Sequence, residues 1–429
     1  MKVTVLSDGH GKNGSSLYIQ FHENSGLVKS IEEKTPILLD LGPGYEVGIR
    51  EYIERIGKTG KKLIVLATHT HADHFCPQHL LYEAYTSGIK ELYFFGPAKG
   101  EYKDQKSNEN LEVKSTSNYL LNALNTTPIT GNFDLKIECN DIYDYGKTLK
   151  SEYKKSKTED NKLEVIIEKF DSQKLDFYQK SLVLFENKNY LILANYGNHV
   201  IPTISGYSII EHFLEVKPND RKLKELGLLN VDFGKIIKNI KDEFIRLEKR
   251  SETFDRYTKF SEIIKKTNLE LSKEYGLEST EEIIHIQIKN VKFTYITDTS
   301  LEEYHLKRMF QNLARESDLL IVGVNKLLSM QKETIGKYHI SLEEAITLKD
   351  ASNSKRLALM HFPWPMQNFI EKIKKFYTGL EELKTHQKEI LTKLNEILLR
   401  RNDIFIAYSG IQYEILPNEF KVKSKKWMK

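Results

Sequence analysis

The chain has 429 residues, enough for two or three domains at roughly 150 residues each. An apolar fraction of 40%, 10 Pro and 23 Gly exclude collagen-like and low-complexity classes, and from a net charge of +4, close to balance, no general nucleic-acid-binding or membrane-surface character follows. Two cysteines, Cys76 and Cys139, exclude a disulfide framework or Cys-rich zinc finger, and no apolar run reaches the roughly 18 residues of a membrane span, so the expectation is a cytoplasmic globular protein.

In chain order, Ser16–Phe21 and Pro36–Leu41 read as strands, the second stopped by Gly42-Pro43-Gly44. Tyr45–Ile56 reads as a helix. Lys62–Ala67 is a continuous apolar run of strand length, the pattern of a strand buried on both faces. Glu91–Phe95 is another strand, ending at Gly96-Pro97. Strands alternating with helices make an α/β class. From 100 to 180 the chain is richer in Lys, Asn, Ser and Asp, with a mixed charge run at Lys150–Lys162 expected to be an exposed hairpin or loop. Leu163–Phe170 and Ser181–Leu193 resume the strand pattern.

The stretch 217–282 is mostly helical in pattern. Its Lys217–Lys273 portion holds 15 Lys and Arg against 10 Asp and Glu, a net of +5 that leaves about −1 for the remainder of the chain. Val291–Thr297, Leu319–Val324 and Arg356–Met360 read as strands, and Leu342–Lys349 as a helix. Across 366–400 Phe369, Phe376, Leu383, Ile390 and Ile397 recur every seven residues, with Ile373, Leu380 and Leu394 at the second apolar position. That heptad stripe fits a helix packed on its own domain or a homodimer seam, or a docking surface for a protein partner. Asp403–Ile415 has strand character, and the Lys-rich tail 418–429 reads as a solvated terminus.

The densest chemical signal is His69-Thr70-His71-Ala72-Asp73-His74, directly after a buried strand. Residues two apart in an extended segment point the same way, so His69 and His71 can grip one metal while Asp73 and His74 reach a second. Nitrogen and carboxylate donors without thiolate suit Zn, with Mn or Fe also possible. Further ligands must come from other strand ends, where His199, Asp298 and His361 stand.

These motifs resemble those of the metallo-β-lactamase-fold hydrolases, whose signature is His-x-His-x-Asp-His, and more closely those of the ribonuclease Z branch. The matches run in order: Gly14-Ser15-Ser16-Leu17, Leu38–Gly44, Thr68–His74, Phe95-Gly96-Pro97, His199 with Gly206-Tyr207, Tyr295–Thr299, Tyr338–Ser341, Leu359–Phe362 and Ile404–Gly410. The resemblance implies a four-layer αββα sandwich over residues 1–417. Insertions would fall at about 100–180, 217–282 (an exosite arm or a lid) and 366–400. It implies two divalent ions, one held by His69, His71 and His199, the other by Asp73, His74 and His361, with Asp298 bridging. It also implies hydrolysis of RNA or another phosphodiester by metal-bound hydroxide, with Asp73 taking a proton and His339 protonating the leaving oxygen. Two departures stand out. Ala72 replaces a common Gly, and the stretch Leu319–Asn325 lacks the acid that would orient His339. Alternatives are hydrolysis of a small substrate such as a cyclic nucleotide, lactone or thioester, or a role as a subunit of a larger assembly.

Overall fold

The computed structural model describes residues 1–9, 14–29, 34–59, 62–103, 110–127, 135–143, 147–155, 163–172, 174–176, 181–199, 201–249, 254–277, 282–326, 339–362, 392, 394 and 396–424. The chain opens with β1 (Lys2–Asp8), β2 (Ser15–Gln20), β3 (Val28–Lys29) and β4 (Ile37–Leu39), then α1 (Glu46–Thr59), β5 (Lys62–Leu66) and α2 (Gln78–Ser87). β6 (Glu91–Pro97), β7 (Gly100–Lys103), β8 (Asn110–Val113), α3 (Thr116–Thr126) and β9 (Lys136–Ile142) follow. Next come β10 (Lys147–Lys155), β11 (Leu163–Ser172), β12 (Lys174–Asp176), β13 (Ser181–Glu186), β14 (Tyr190–Asn195) and β15 (Gly206–Pro218). A helical segment holds α4 (Asp220–Glu225), α5 (Gly234–Glu248), the short β16 (Phe254–Asp255) and α6 (Arg256–Glu274). The chain closes through β17 (Ile284–Ile296), α7 (Tyr304–Ala314), β18 (Leu319–Lys326), β19 (Ile340–Ser341), α8 (Leu342–Ala351), β20 (Leu357–Met360), β21 (Ile404–Ile406), β22 (Ile411–Leu416) and β23 (Glu419–Ser424).

Two large sheets carry the fold. One runs β11-β10-β9-β6-β5-β4-β2-β1-β22-β23, the other β12-β13-β14-β15-β17-β18-β20-β21. The two-residue period of a strand assigns each apolar side chain to a layer. On β5, Ile64 and Leu66 point into the space between the sheets, where they meet Ile209, Phe293, Tyr295 and Ile321 of the second sheet. Leu63 and Val65 point the other way, onto Ile49 and Ile53 of α1 and Leu80 of α2. On the second sheet, Leu320, Val322 and Leu359 face Phe310 and Leu313 of α7 and Leu348 of α8. Helix, sheet, sheet, helix is the αββα sandwich expected. β4, β5, β6 and β9 run parallel, as do β17, β18, β20 and β21, so their C-terminal ends open along the same edges.

Two sequence expectations, on the stretch 100–180 and on the tail, need correction. The stretch 100–180 is not wholly an insertion, because β9 pairs with β6 and Leu120 and Leu124 of α3 are buried on the first sheet's outer face. The Lys150–Lys162 run falls on the antiparallel pair β10 and β11, the hairpin form of that expectation, with 156–162 outside the described residues. The tail does not fray from 418, since β23 pairs with β22 through Ser424. The heptad stripe falls mostly on 363–391, outside the described residues. At its end Leu394 is fully buried in the core under α7 and α8, with Ile397 and Leu398 packed beside it.

The segment 217–282 builds its own small core. Phe244 of α5 stacks on Phe260 of α6 at 3.5 Å, and Ile240, Ile263, Ile264 and Leu271 close around Val216 and Ile284. These helices sit where β15 and β17 outrun the sandwich. Gly206 pairs with Ile296 at one end of that strand pair and Pro218 with Ile284 at the other, twelve residue steps or about 40 Å away. The helical unit is also tied back to the body. β16 pairs with β3, and the buried Arg256 guanidinium bonds to the Ser25 and Glu23 carbonyls and to the Glu248 carboxylate.

Candidate metal centre

The cluster residues stand at strand ends on both sheets. Thr68–His74 leaves β5, Asp298 follows β17, His361 follows β20, and His339 immediately precedes β19. His199 follows β14. Three contacts clamp the two sheets at this edge: Tyr207 Oη donates to the Ala67 carbonyl at 2.7 Å, Ile204 N to the Thr68 carbonyl at 2.8 Å, and His361 N to the Asp8 carbonyl at 2.9 Å.

All eight residues singled out from sequence converge. Donor atoms of His69, His71 and His199 lie within 4.8 Å of one another, as do those of Asp73, His74 and His361. Asp298 shares such a group with His69 and His74, and another with His199 and His339. His74 Nε2 is 3.0 Å from Asp298 Oδ2, 3.1 Å from His361 Nε2 and 3.7 Å from Asp73 Oδ2. Two ring nitrogens facing at 3.1 Å beside two carboxylates can share only one proton. The donor set therefore fits divalent cations, for which neutral imidazole and carboxylate are ordinary ligands.

A layer behind the cluster fixes the tautomers of its rings. Asp40, at the end of β4 and fully buried, accepts from Thr68 N at 2.7 Å and from Thr68 Oγ1 at 2.9 Å. It also accepts from His74 Nδ1 at 2.8 Å. Thr68 Oγ1, having given its proton to Asp40, accepts from His69 Nδ1 at 3.0 Å. Both rings thus turn Nε2 toward the cluster. His339 Nδ1 lies 3.1 Å from Asp298 Oδ1, so the carboxylate absent from Leu319–Asn325 has a substitute. Sequence reading placed Asp40 and Thr68 inside the matched stretches Leu38–Gly44 and Thr68–His74 but gave neither a role.

Electrostatics follow the same division. Burial drives His69 well below the ordinary imidazole range and His199 down to about 4, which keeps both neutral. Burial opposes charge on His74 as well, but the Asp298 and Asp40 carboxylates on either side outweigh it and raise it well above its usual value. Burial likewise works against the Asp298 carboxylate, yet His74, His361 and the His339 hydrogen bond hold it well below the usual range. The backbone is strained at the same places. Asp40, Asp298 and His361 have φ of 57°, 45° and 60°, the left-handed region that L side chains rarely adopt.

No family model matches this chain. Over 81 residues, 19% of the chain, it is 36% identical to the ribonuclease Z of Nanoarchaeum equitans (strain Kin4-M), and the match spans 24% of that relative, about a quarter of its length. Among solved structures, human tRNase Z, short form, aligns over 97% of this chain and 100% of that one at 13% identity, with a TM-score of 0.46. The metallo-β-lactamase fold protein YhfI from Bacillus subtilis aligns over 96% and 98% at 12% identity, TM-score 0.44. A long-form RNase Z from yeast aligns over 96% of this chain and 41% of that one at 14% identity, TM-score 0.43.

Proposed function

We propose that the chain is a two-metal phosphodiesterase of ribonuclease Z type. The observation that carries this reading is the convergence of five imidazoles and two carboxylates, drawn from four segments, into overlapping groups of ligand spacing. His69, His71 and His199 would hold one ion, Asp73, His74 and His361 the other, with Asp298 shared. Bound divalent ions would supply Lewis acidity, lowering the pKa of water and neutralising phosphate charge.

The remaining steps belong to the protein's own residues. Asp40 and Thr68 aim Nε2 of His74 and His69. Asp298 would accept from Nδ1–H of His339, so that the imidazolium form of that ring presents Nε2–H to a departing oxygen. Asp73, half-exposed at the mouth of the cluster, is placed to take a proton from the attacking water. Zinc is the expected metal, since every donor is imidazole or carboxylate. The helical unit 217–282, with its net charge of +5 over Lys217–Lys273, is read as a distant grip on a nucleic-acid strand rather than a lid, because it begins twelve residue steps along β15 from the cluster.

The test begins with metal analysis of protein purified without added metal, expected to find about two ions per chain. Hydrolysis of bis(p-nitrophenyl) phosphate, precursor tRNA, a cyclic nucleotide and a lactone is then compared. His339→Ala should keep its metal and lose about 10²–10⁴ in rate on a diester. Lactone turnover with no diester cleavage would overturn the reading.

A further inference from the structure

Two clefts flank the metal centre, and their linings differ in kind from the metal ligands. One, of about 500 Å³, extends from His199 past Lys99, Tyr143, Tyr196 and Pro202. The other, of about 510 Å³, extends from His71 past Lys114, Tyr119 and Asn122. Both volumes fall within the range of small-ligand sites, roughly 300–1,000 Å³. Ile201 lines both, and the His71 and His199 rings meet edge to face at 5.3 Å, so the clefts lie on either side of one ridge at the cluster.

Tyr196 Oη donates to the Ile142 carbonyl, which fixes its ring at the mouth of the first cleft. Pro202 closes on Gly100 so tightly that a Cβ there would come within 2.3 Å of the proline ring. Tyr119 projects from α3 and is 39% exposed, so its ring has a free face. Charge is balanced in both clefts: Lys99 stands with Glu101, and Lys114 with Glu112. A surface that bound through many phosphates would carry an excess of Lys and Arg. Here the apolar and aromatic faces must supply the selectivity.

We propose that the two clefts seat the nucleotides on either side of the cleaved linkage, one base stacked on Tyr143 and Tyr196 and the other on Tyr119. The proposal rests on the phosphodiesterase reading and narrows it. The substrate is an open single strand of at least two nucleotides at the site of reaction, because only an unpaired base offers its face to an aromatic ring. A cyclic nucleotide or a small ester would fill one cleft at most.

The experiment uses the metal-loaded full chain and a dinucleotide carrying 2-aminopurine, with its linkage blocked by a methylphosphonate. Stacking should quench the 2-aminopurine emission, and Tyr196→Ala should weaken binding about ten- to a hundredfold and abolish the quench. Tyr196→Phe keeps the ring and should keep the quench. Tyr119→Ala, on a half-exposed surface, gives the same readout for the second cleft should Tyr196→Ala not fold. In turnover, each alanine variant should lower the ratio of kcat/KM for an unmodified dinucleotide to that for bis(p-nitrophenyl) phosphate by about tenfold. Cleavage of bis(p-nitrophenyl) phosphate, with dinucleotide binding insensitive to both alanines or matched by duplex, overturns the cleft proposal alone. Quenched, tyrosine-dependent binding without cleavage of any diester overturns the phosphodiesterase reading and leaves the clefts.

Discussion

Asp40 touches no ligand group except through a hydrogen bond, yet three bonds converge on it and its φ of 57° is strained. Asp40→Asn keeps the volume but offers an amide where His74 Nδ1–H and Thr68 Oγ1–H both need an acceptor. The expected result is a loss of about 10- to 100-fold in metal affinity with the fold retained, read by chelator competition and far-UV dichroism. Unchanged affinity would show that the His74 ring is held by packing alone. At this scale the sequence was informative where spacing did the work. Six residues from His69 to His74 can be read as a ligand cluster because their separation fixes their directions. Asp40 could not be read that way, since an Asp two positions ahead of Gly-Pro-Gly also suits a plain turn. Nor could the His339–Asp298 contact, which joins residues 41 positions apart through a tertiary approach.

Among elements, Gly42 shows how closely the loops behind the cluster are drawn together. A Cβ at Gly42 would sit 1.9 Å from the Asp73 carbonyl, which itself accepts from Ser15 N at 2.8 Å. Gly42→Ala must push the His71–His74 loop outward, and metal content should fall at least tenfold; full occupancy in that variant would show that the loop yields freely. α3 supplies a pH-dependent contact. Asp141, at the end of β9, accepts from Ser117 N at 2.9 Å and from Ser117 Oγ in the first turn of α3, while burial pushes its carboxyl up to about 6. The folded state therefore holds this proton more tightly than the unfolded state. The stability it confers is present below about pH 4 and fades as pH rises toward 6, by roughly 3 kcal/mol at most. Asp141→Asn should remove that component, so urea midpoints of the two proteins should converge or cross between pH 4 and 7. A constant offset would mean that Asp141 titrates normally. α3 escaped the sequence reading because Thr116–Thr126 mixes Asn, Thr and Leu without a clean 3.6-residue stripe. The first half of β17 escaped for another reason: Ile284–Asn290 lies beyond the sandwich, where only one face meets the helical unit, so its pattern is too polar for a core strand.

For the whole molecule, the αββα layering follows from apolar runs with both faces buried, and those runs were legible. What was not legible was where the extra length goes. The helical unit has an independent core yet hangs on Arg256, whose side chain is 5% exposed and paired with Glu248. Arg256→Ala leaves that carboxylate and two backbone carbonyls without their donor, and should destabilise the unit by about 3–5 kcal/mol. Urea unfolding followed by hydrogen exchange should then show Gly234–Glu248 and Arg256–Glu274 opening ahead of the sandwich. A single coincident transition at the wild-type midpoint would place the anchor elsewhere.

The long pairing of β15 with β17 gives the molecule a ruler. Asp298 stands just past one end and the Phe244–Phe260 stack at the other, joined by thirteen consecutive paired residues on each strand. Because side chains alternate faces with a period of two, the ruler can be lengthened only in even steps. Two residues added to each strand would move the helical unit outward by about 7 Å and leave every core contact on its own side, whereas one residue on each would turn the apolar face of the extension away from its helices.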